Sequence, residues 1–339
     1  MNILGGRISI LVGDVRDRLR ELSDDHFDCV VTSPPYWGLR DYGVSGQIGL
    51  ESSLGEHINV MVDVFREVRR VLKPTGTLWL NYGDCYATSP NGRSAAETKA
   101  LGDDDRTFRD KPFSTIGGVL KPKDLCMLPN RIAIALQESG WWVRSEIIWH
   151  KPNPMPESTR DRPTTSHEKI WLLTKSQRYF YDADAIAERS SNNSHGGKPI
   201  EGGPKQAVLG QQIGGRMGLV PPHGVRNARN VWSIGTAAFS EAHFATFPPE
   251  IPERCIKAGC PVSGEVLDPF GGSGTTAMVA ASLGRRATII ELNPDYAQLA
   301  KARIEAEFMG KDEGRRHMHK SLGKAIDLGP LFAMGDDIA

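Results

Sequence analysis

Apolar and polar positions along this chain alternate with two periods, and the switches between them mark strands and helices. Ile8 to Val12 is a short apolar run ending at Gly13-Asp14, and Val15 to Leu22 continues with helical spacing. Phe27-Asp28-Cys29-Val30-Val31 reads as the end of a buried strand that runs into Thr32-Ser33-Pro34-Pro35-Tyr36-Trp37. The chain therefore opens strand, helix, strand. Gly38 to Gly49 is a glycine-rich loop containing Arg40, Asp41 and Tyr42, long for a connection and suited to a mobile active-site loop. Ser53-Leu54-Gly55-Glu56 has capping-box spacing, and Ile58, Met61, Val62, Phe65, Val68 and Leu72 behind it predict a helix. Lys73-Pro74-Thr75-Gly76 ends that helix, and Thr77-Leu78-Trp79-Leu80 is the next strand.

Tyr86 to Lys123 is polar, rich in Gly and Asp and without period, which predicts an insertion or surface loop. Pro129 to Ser139 is a helix with Gly140 past its end. Trp141 to Trp149 and Lys169 to Thr174 are strands with no helix between them, so they should pair as an antiparallel hairpin. From Arg189 to Ser240 the pattern breaks down into Gly, Ser, Asn and Gln, with Arg189, Lys198, Lys205, Arg216, Arg226 and Arg229 against one acid, Glu201. Order then returns. Gly264 to Phe270 is strand and turn, Gly271-Gly272-Ser273-Gly274 a glycine loop, Thr275 to Leu283 a helix, Thr288 to Leu292 a strand and Asp295 to Phe308 a helix. Strands alternating with helices predict an α/β fold, doubly wound, with a mostly parallel sheet covered on both faces.

Composition changes this picture little. The 339 residues suffice for one large α/β domain with an insertion, and 39% hydrophobic with 24% charged residues is ordinary for a soluble protein. Lys+Arg and Asp+Glu balance at 41 each, so a nucleic-acid binder with this sequence must segregate its charge locally. The five cysteines (Cys29, Cys85, Cys126, Cys255, Cys260) form no C-x-x-C pair and fit free thiols in a reducing compartment. Neither a signal-peptide pattern nor a bilayer-length apolar run is visible, which predicts a cytoplasmic protein.

Two stretches carry chemistry. In Ser33-Pro34-Pro35-Tyr36, two prolines stop the strand, remove two backbone donors and stiffen the turn. The turn can offer the Ser33 hydroxyl and the Pro34 carbonyl as acceptors for the two hydrogens of an exocyclic amine, with Tyr36 to stack on its ring. A base inside a duplex would have to be flipped out to reach it. The second stretch is Asp268-Pro269-Phe270-Gly271-Gly272-Ser273-Gly274-Thr275-Thr276, between strand and helix. It lacks the Gly-Lys-Ser/Thr of a phosphate-cradling loop and the spacing of a dinucleotide site. Its partner is Glu291, placed at the end of the next strand to accept both hydroxyls of a ribose.

Together these motifs resemble the S-adenosylmethionine-dependent DNA amino-methyltransferases. Thr32-Ser33-Pro34-Pro35-Tyr36 is similar to the catalytic motif, Asp268 to Gly274 to the cofactor motif and Glu291 to the ribose-binding acid. The catalytic motif precedes the cofactor motif, which is the permuted order of the family's beta group. Leu72-Lys73-Pro74-Thr75-Gly76-Thr77, Ile148 to Asn153, Ser166 to Lys169 and His243 to Pro248 resemble further family segments, so the likeness spans residues 7 to 183 and 230 to 308. It implies a Rossmann-like sheet of seven strands with one antiparallel. It also implies a catalytic half at 1–183 (insertion 86–123), a target-recognition region at 184–232, a cofactor half at 233–310 and a tail at 311–339. Ser33, Pro34, Pro35 and Tyr36 would be catalytic. S-adenosylmethionine would lie against Asp14, Thr32, Thr246, Phe247, Asp268, Phe270, Gly272, Gly274, Thr275, Glu291 and Asn293. The six cations at 189–229 would meet phosphates of double-stranded DNA.

Serine in the first catalytic position leans the reading to cytosine N4, with adenine N6 as the alternative, since its neutral hydroxyl suits either amine. A protein or RNA substrate and an inactive DNA-binding module are the other readings. A partner restriction enzyme and the oligomeric state stay open. His150 and His167 are not required as bases, methyl transfer needs no metal, and Trp37 with the Arg40 loop could close over a flipped base.

Overall fold

The computed structural model describes residues 1–39, 44–89, 113–189, 225–236, 247–309 and 311–322. The N-terminal part holds β1 (Asn2–Ile3), β2 (Ile8–Val12), α1 (Val15–Arg20), β3 (Phe27–Thr32), α2 (Leu54–Val71) and β4 (Leu72–Tyr82). Next come α3 (Leu128–Glu138), β5 (Trp142–His150), β6 (His167–Thr174), β7 (Glu188–Arg189), β8 (Val225–Arg226) and β9 (Val231–Ser233). The chain closes with α4 (Glu250–Gly259), β10 (Glu265–Asp268), α5 (Thr275–Ser282), β11 (Arg286–Glu291), α6 (Pro294–Glu307) and α7 (Lys311–Leu322).

The main sheet has nine strands in the order β1-β2-β11-β10-β3-β4-β6-β5-β9. The seven expected strands form its middle, and the short β1 and β9 extend its edges. From β2 to β4 every pairing is parallel. Strand β6 runs against both β4 and β5, so the expected hairpin supplies the reversed strand. Strands β10 and β11 come last in sequence yet sit between β2 and β3. Strand β9 crosses the boundary expected at residue 232 and joins β5 as a parallel edge.

Side chains on β4 and β6 sort by period two, as a two-faced sheet requires. Trp79, Ile170 and Leu172 point to one face, with α4, α5 and α6; Leu78, Leu80, Trp171 and Leu173 point to the other, with α2 and α3. Phe27 packs in the same cluster as Val30, and the register with β4 shifts between Phe27 and Cys29. Residues 73–76 loop out opposite Asp28, whose carboxylate takes Lys73 Nζ at 2.8 Å. The predicted turn at Lys73 to Gly76 is therefore a bulge within β4, not a stop before it.

Helix α2 is capped as its sequence predicts: Ser53 Oγ accepts from Glu56 N at 3.2 Å. The return bond differs. Glu56 reaches Ser52 N at 3.0 Å and its hydroxyl at 2.7 Å, one residue before the cap. Helix α4 was not predicted, although Ile251, Cys255, Ile256 and Ala258 are buried at helical spacing. Among the described residues no helix is long and apolar enough to cross a membrane. No disulfide joins the five cysteines, and burial pushes Cys29 and Cys255 well up and Cys260 up to about 12, which leaves those three thiols inert.

Candidate active site

Strands β3 and β10 are parallel neighbours, with Val266 opposite Cys29 and Leu267 opposite Val30. Their carboxyl ends therefore deliver the proline turn and the glycine loop side by side, where an open α/β sheet binds its ligands. Both open into one cavity of about 810 Å³.

At one end of the cavity lie Ser33, Pro34, Pro35 and Tyr36 with Asn81, Lys151 and Glu168. No donor among the described residues is paired with the Pro34 carbonyl, whereas Pro35 O accepts from the Tyr82 hydroxyl at 3.2 Å. The Tyr36 ring packs on Tyr82, centroids 4.7 Å apart, and lies so close to Gly83 that a Cβ there would stand 2.5 Å from Tyr36 Cε2. Its hydroxyl contacts Ser33 Oγ at 3.3 Å and donates to Glu168 Oε2 at 3.0 Å. Burial, and then the Glu168 charge, push the Tyr36 phenol well above its ordinary range. Asn81 Nδ2 and Lys151 Nζ also hold Glu168, at 3.1 and 2.5 Å. Behind the turn, Tyr82 meets His57 Nε2 at 2.6 Å and His57 Nδ1 meets Glu51 at 2.7 Å.

At the other end are Asp14, Phe247, Phe270, Gly272, Glu291, Asn293 and Tyr296. Glu291 accepts from Gly272 N and Asn293 N, each at 2.8 Å, one on each carboxylate oxygen. That leaves every oxygen a second lone pair. Burial raises the Glu291 pKa against those bonds. The loop glycines divide the work. A Cβ at Gly271 would stand 2.7 Å from Ile289 Cβ, and one at Gly274 (φ +81°) 2.9 Å from Ile304 Cδ1. A Cβ at Gly272 would meet nothing within 4 Å, so space for a ligand opens there. Arg303, lowered by burial to about 10, braces the loop from beneath through Ser273 O at 2.6 Å.

The structure redistributes several expected roles. Thr32, Asp268, Gly274 and Thr275 do not line the cavity, although Ser33, Pro269 and Ser273 beside them do. Asp268 accepts from Thr32 Oγ1 and Thr276 Oγ1, both at 2.7 Å, and from Phe270 N at 3.0 Å. It ties β3 to the glycine loop, and burial raises its pKa. Asp14 lines the cavity while capping α1, with Arg16 holding its carboxyl below the ordinary range. Trp37 does not close over the cavity: it is 3% exposed, with Nε1 donating to Glu51 O at 2.9 Å. His167 lines the cavity, whereas His150 pairs with Ser233 Oγ at 3.0 Å.

Of the six predicted phosphate contacts, Lys198, Lys205 and Arg216 lie outside the described residues, as do Thr246 and the Arg40-Asp41-Tyr42 loop. Arg226 and Arg229 both pair with Glu188, at 3.2 and 2.9 Å, an acid just before the stretch judged basic. Arg189 is exposed. Sequence reasoning missed Asn81, Lys151 and Glu168 as site residues. Signals were present: a polar Asn81 near the end of the apolar run of β4, and the family-like segments Ile148 to Asn153 and Ser166 to Lys169, which contain Lys151 and Glu168.

The residues present fit S-adenosylmethionine: a carboxylate with spare lone pairs, apolar walls from Phe247 and Phe270, and open space over Gly272. A family model described as DNA methylase matches residues 27–302. The Type II methyltransferase M.SmaI of Serratia marcescens is 45% identical over 295 residues, 87% of this chain and 90% of that protein. M.Cfr9I of Citrobacter freundii is 43% identical over 299 residues, 88% of each. Among solved structures, the cytosine-N4-specific PvuII DNA methyltransferase shares the fold, with TM-score 0.60 over 93% of this chain and 92% of that one at 18% identity. A DNA modification methylase of Thermus thermophilus, solved with S-adenosyl-L-methionine, superposes with TM-score 0.54 over 89% of this chain and 96% of that one at 27% identity. A proline turn and a glycine loop facing one cavity, on a sheet matched by the family along most of its length, make this chain a member of the DNA methylase family, an S-adenosylmethionine-dependent amino-methyltransferase.

Proposed function

We propose that the protein methylates the exocyclic N4 of cytosine at a specific site in double-stranded DNA. The observation that carries this reading is the Ser-Pro-Pro-Tyr form of the turn, which in the resembling family more often accompanies cytosine N4, with Ser33 and Pro34 on the cavity wall and no donor among the described residues on the Pro34 carbonyl. Ser33 Oγ and Pro34 O accept the two hydrogens of the target amine. Drawing on those hydrogens turns the nitrogen lone pair out of conjugation with the ring and towards the methyl donor. The open face of Tyr36 stacks on the flipped base, its other side being held by Tyr82 and Gly83. Glu291 accepts the ribose hydroxyls, and Phe247, Phe270 and Asn293 enclose the cofactor. When bound, S-adenosylmethionine supplies an electrophilic methyl group on its sulfonium. The protein contributes alignment of amine and methyl group, a large effect in two-substrate reactions.

Residues 184–232 form the DNA-facing region in this reading, with the exposed Arg189 meeting phosphate and Arg226 and Arg229 held at the β7–β8 pair through Glu188. Site specificity is supported by the relatives named Type II methyltransferases, and such an enzyme fits a restriction-modification pair. The test is transfer of tritiated methyl groups to genomic duplex DNA, followed by digestion to nucleosides. We expect label in N4-methyldeoxycytidine, and its loss in Ser33→Ala by on the order of 10²-fold or more, as when one positioned hydrogen-bonding group is removed. Label in N6-methyldeoxyadenosine would move the target to adenine. Full activity in Ser33→Ala would remove the role given to the turn.

A further inference from the structure

The hydroxyls of the catalytic turn leave little freedom in where their protons point. Tyr36 has one proton and three oxygen neighbours: Ser33 Oγ at 3.3 Å, Glu168 Oε2 at 3.0 Å and Asn81 Oδ1 at 3.5 Å. The Glu168 carboxylate, paired with Lys151 through its other oxygen, has no proton to give, and Asn81 donates to it through Nδ2. Tyr36 is therefore the donor to Glu168, the nearest and the charged acceptor. Having spent its only proton there, Tyr36 can serve Ser33 only as an acceptor. Ser33 must then donate to Tyr36, and its lone pairs are left for the cavity.

We propose that Glu168 is the positioning residue that fixes the direction of this chain, Ser33 to Tyr36 to Glu168, and thereby makes Ser33 an acceptor towards the target amine. The inference rests on the reading of the turn as the amine-binding element. With the direction reversed, a Ser33 proton would face the amine hydrogens and repel them. The same chain gives the reaction's proton a destination. An amine that has gained a methyl group carries a positive charge and must lose one proton. As its N–H bond breaks, Ser33 Oγ takes that proton and passes its own to Tyr36, which passes its own to Glu168 Oε2. The amine ends neutral, both hydroxyls are restored, and Glu168 ends as a carboxylic acid that returns the proton to solvent at the cavity, where its side chain is 18% exposed.

Glu168 lies 132 positions from Tyr36 in the chain, and the two meet because β6 inserts beside β4. Lys151, from the end of β5, and Asn81, from the end of β4, hold the carboxylate in place. Nothing else in the described residues gives the Tyr36 hydroxyl a charged acceptor.

The test measures kcat and KM for genomic duplex DNA, cofactor affinity by calorimetry and Tm, for Glu168→Gln, Glu168→Asp, Tyr36→Phe and the double variant. Glutamine keeps the shape of the side chain but takes no proton. We expect Glu168→Gln to lower kcat on the order of 10²-fold, the usual weight of a proton-transfer group, with KM, cofactor affinity and Tm unchanged. Tyr36→Phe keeps the stacking ring and should lose a similar factor. The double variant should lose no more than Tyr36→Phe alone, because both changes cut one chain. Glu168→Asp should recover part of the loss. Wild-type kcat in Glu168→Gln or Tyr36→Phe overturns the proposal. So do losses that multiply in the double variant, or a loss that follows Tm. Should Glu168→Gln fail to fold, Tyr36→Phe alone decides, since it leaves the Glu168 contacts to Lys151 and Asn81 in place. Ser33→Ala separates the two readings: if it abolishes transfer while Glu168→Gln does not, only the chain fails; if it is fully active, the reading of the turn fails.

Discussion

A single carbon separates Gly83 from alanine, and the Tyr36 ring has no room for it. The added Cβ would stand 2.5 Å from Tyr36 Cε2, while Tyr82 behind the ring and Glu168 on its hydroxyl prevent it from yielding. Overpacking of this kind costs about 1–3 kcal/mol. Gly83→Ala is expected to lower methyl transfer more than tenfold, about the effect of 1.4 kcal/mol on a barrier, while cofactor affinity by calorimetry stays near wild type. Retained activity would mean that the ring position does not matter. At this scale the sequence displayed the reactive types: Ser33 and Pro34 in a turn whose prolines supply no backbone donors, and Glu291 ending a strand. It did not display what those residues touch. Asp268 carries the cofactor motif's carboxylate, yet it bonds Thr32 and Thr276 within the protein. Trp37 sits beside the proline turn and serves the core. Contacts across 132 or 236 positions, such as Tyr36–Glu168 and Thr32–Asp268, leave no mark in local pattern.

Elements were the most legible scale, because burial on one or two faces writes a period into the residues. The two central strands β3 and β10 and the helix α2 appear close to where period and caps put them. Boundaries moved where tertiary contacts reached in: Lys73 on Asp28 turns a predicted stop into a bulge, and β9 gains its place only by pairing with β5. Caps can be tested directly. Asp14 begins α1, accepts from Arg16 N at 2.8 Å and pairs with its guanidinium, so its folded pKa lies below the unfolded 3.8. A depressed acid contributes stability that is whole above the unfolded pKa and is lost as pH falls through the folded one. Asn keeps the cap without the charge. The advantage of wild type over Asp14→Asn, within about 1 kcal/mol at low salt, should therefore be present at neutral pH and vanish in acid. Urea melts at pH 7 and below pH 3.8 measure it, and an equal advantage at both would refute the assignment.

For the whole molecule, the deciding fact is that β10 and β11 return from the C-terminal third to sit between β2 and β3. That insertion puts the glycine loop beside the proline turn and builds one cavity from residues as far apart as Ser33 and Glu291. Charge behaves in the same way. The net charge of zero conceals a basic stretch, and Glu188 then neutralises part of it by holding Arg226 and Arg229. Arg189 is exposed and outside those pairs, and in the proposed reading it meets phosphate. Arg189→Ala should weaken DNA binding by a similar factor on every sequence and flatten the salt dependence of log K by about one contact's worth. Titrations at several salt concentrations would show it, and an unchanged slope would take Arg189 out of the interface. By itself the sequence determined the strand and helix periods, the stiff turn, the glycine loop and their order along the chain, because each is written in neighbouring residues. Only the tertiary structure decided that Glu168, Asn81 and Lys151 surround Tyr36, that Asp268 bonds Thr32 and Thr276, and that Glu188 claims two of the arginines. Those outcomes depend on which strands become neighbours, and strand order is settled by packing across the whole sheet.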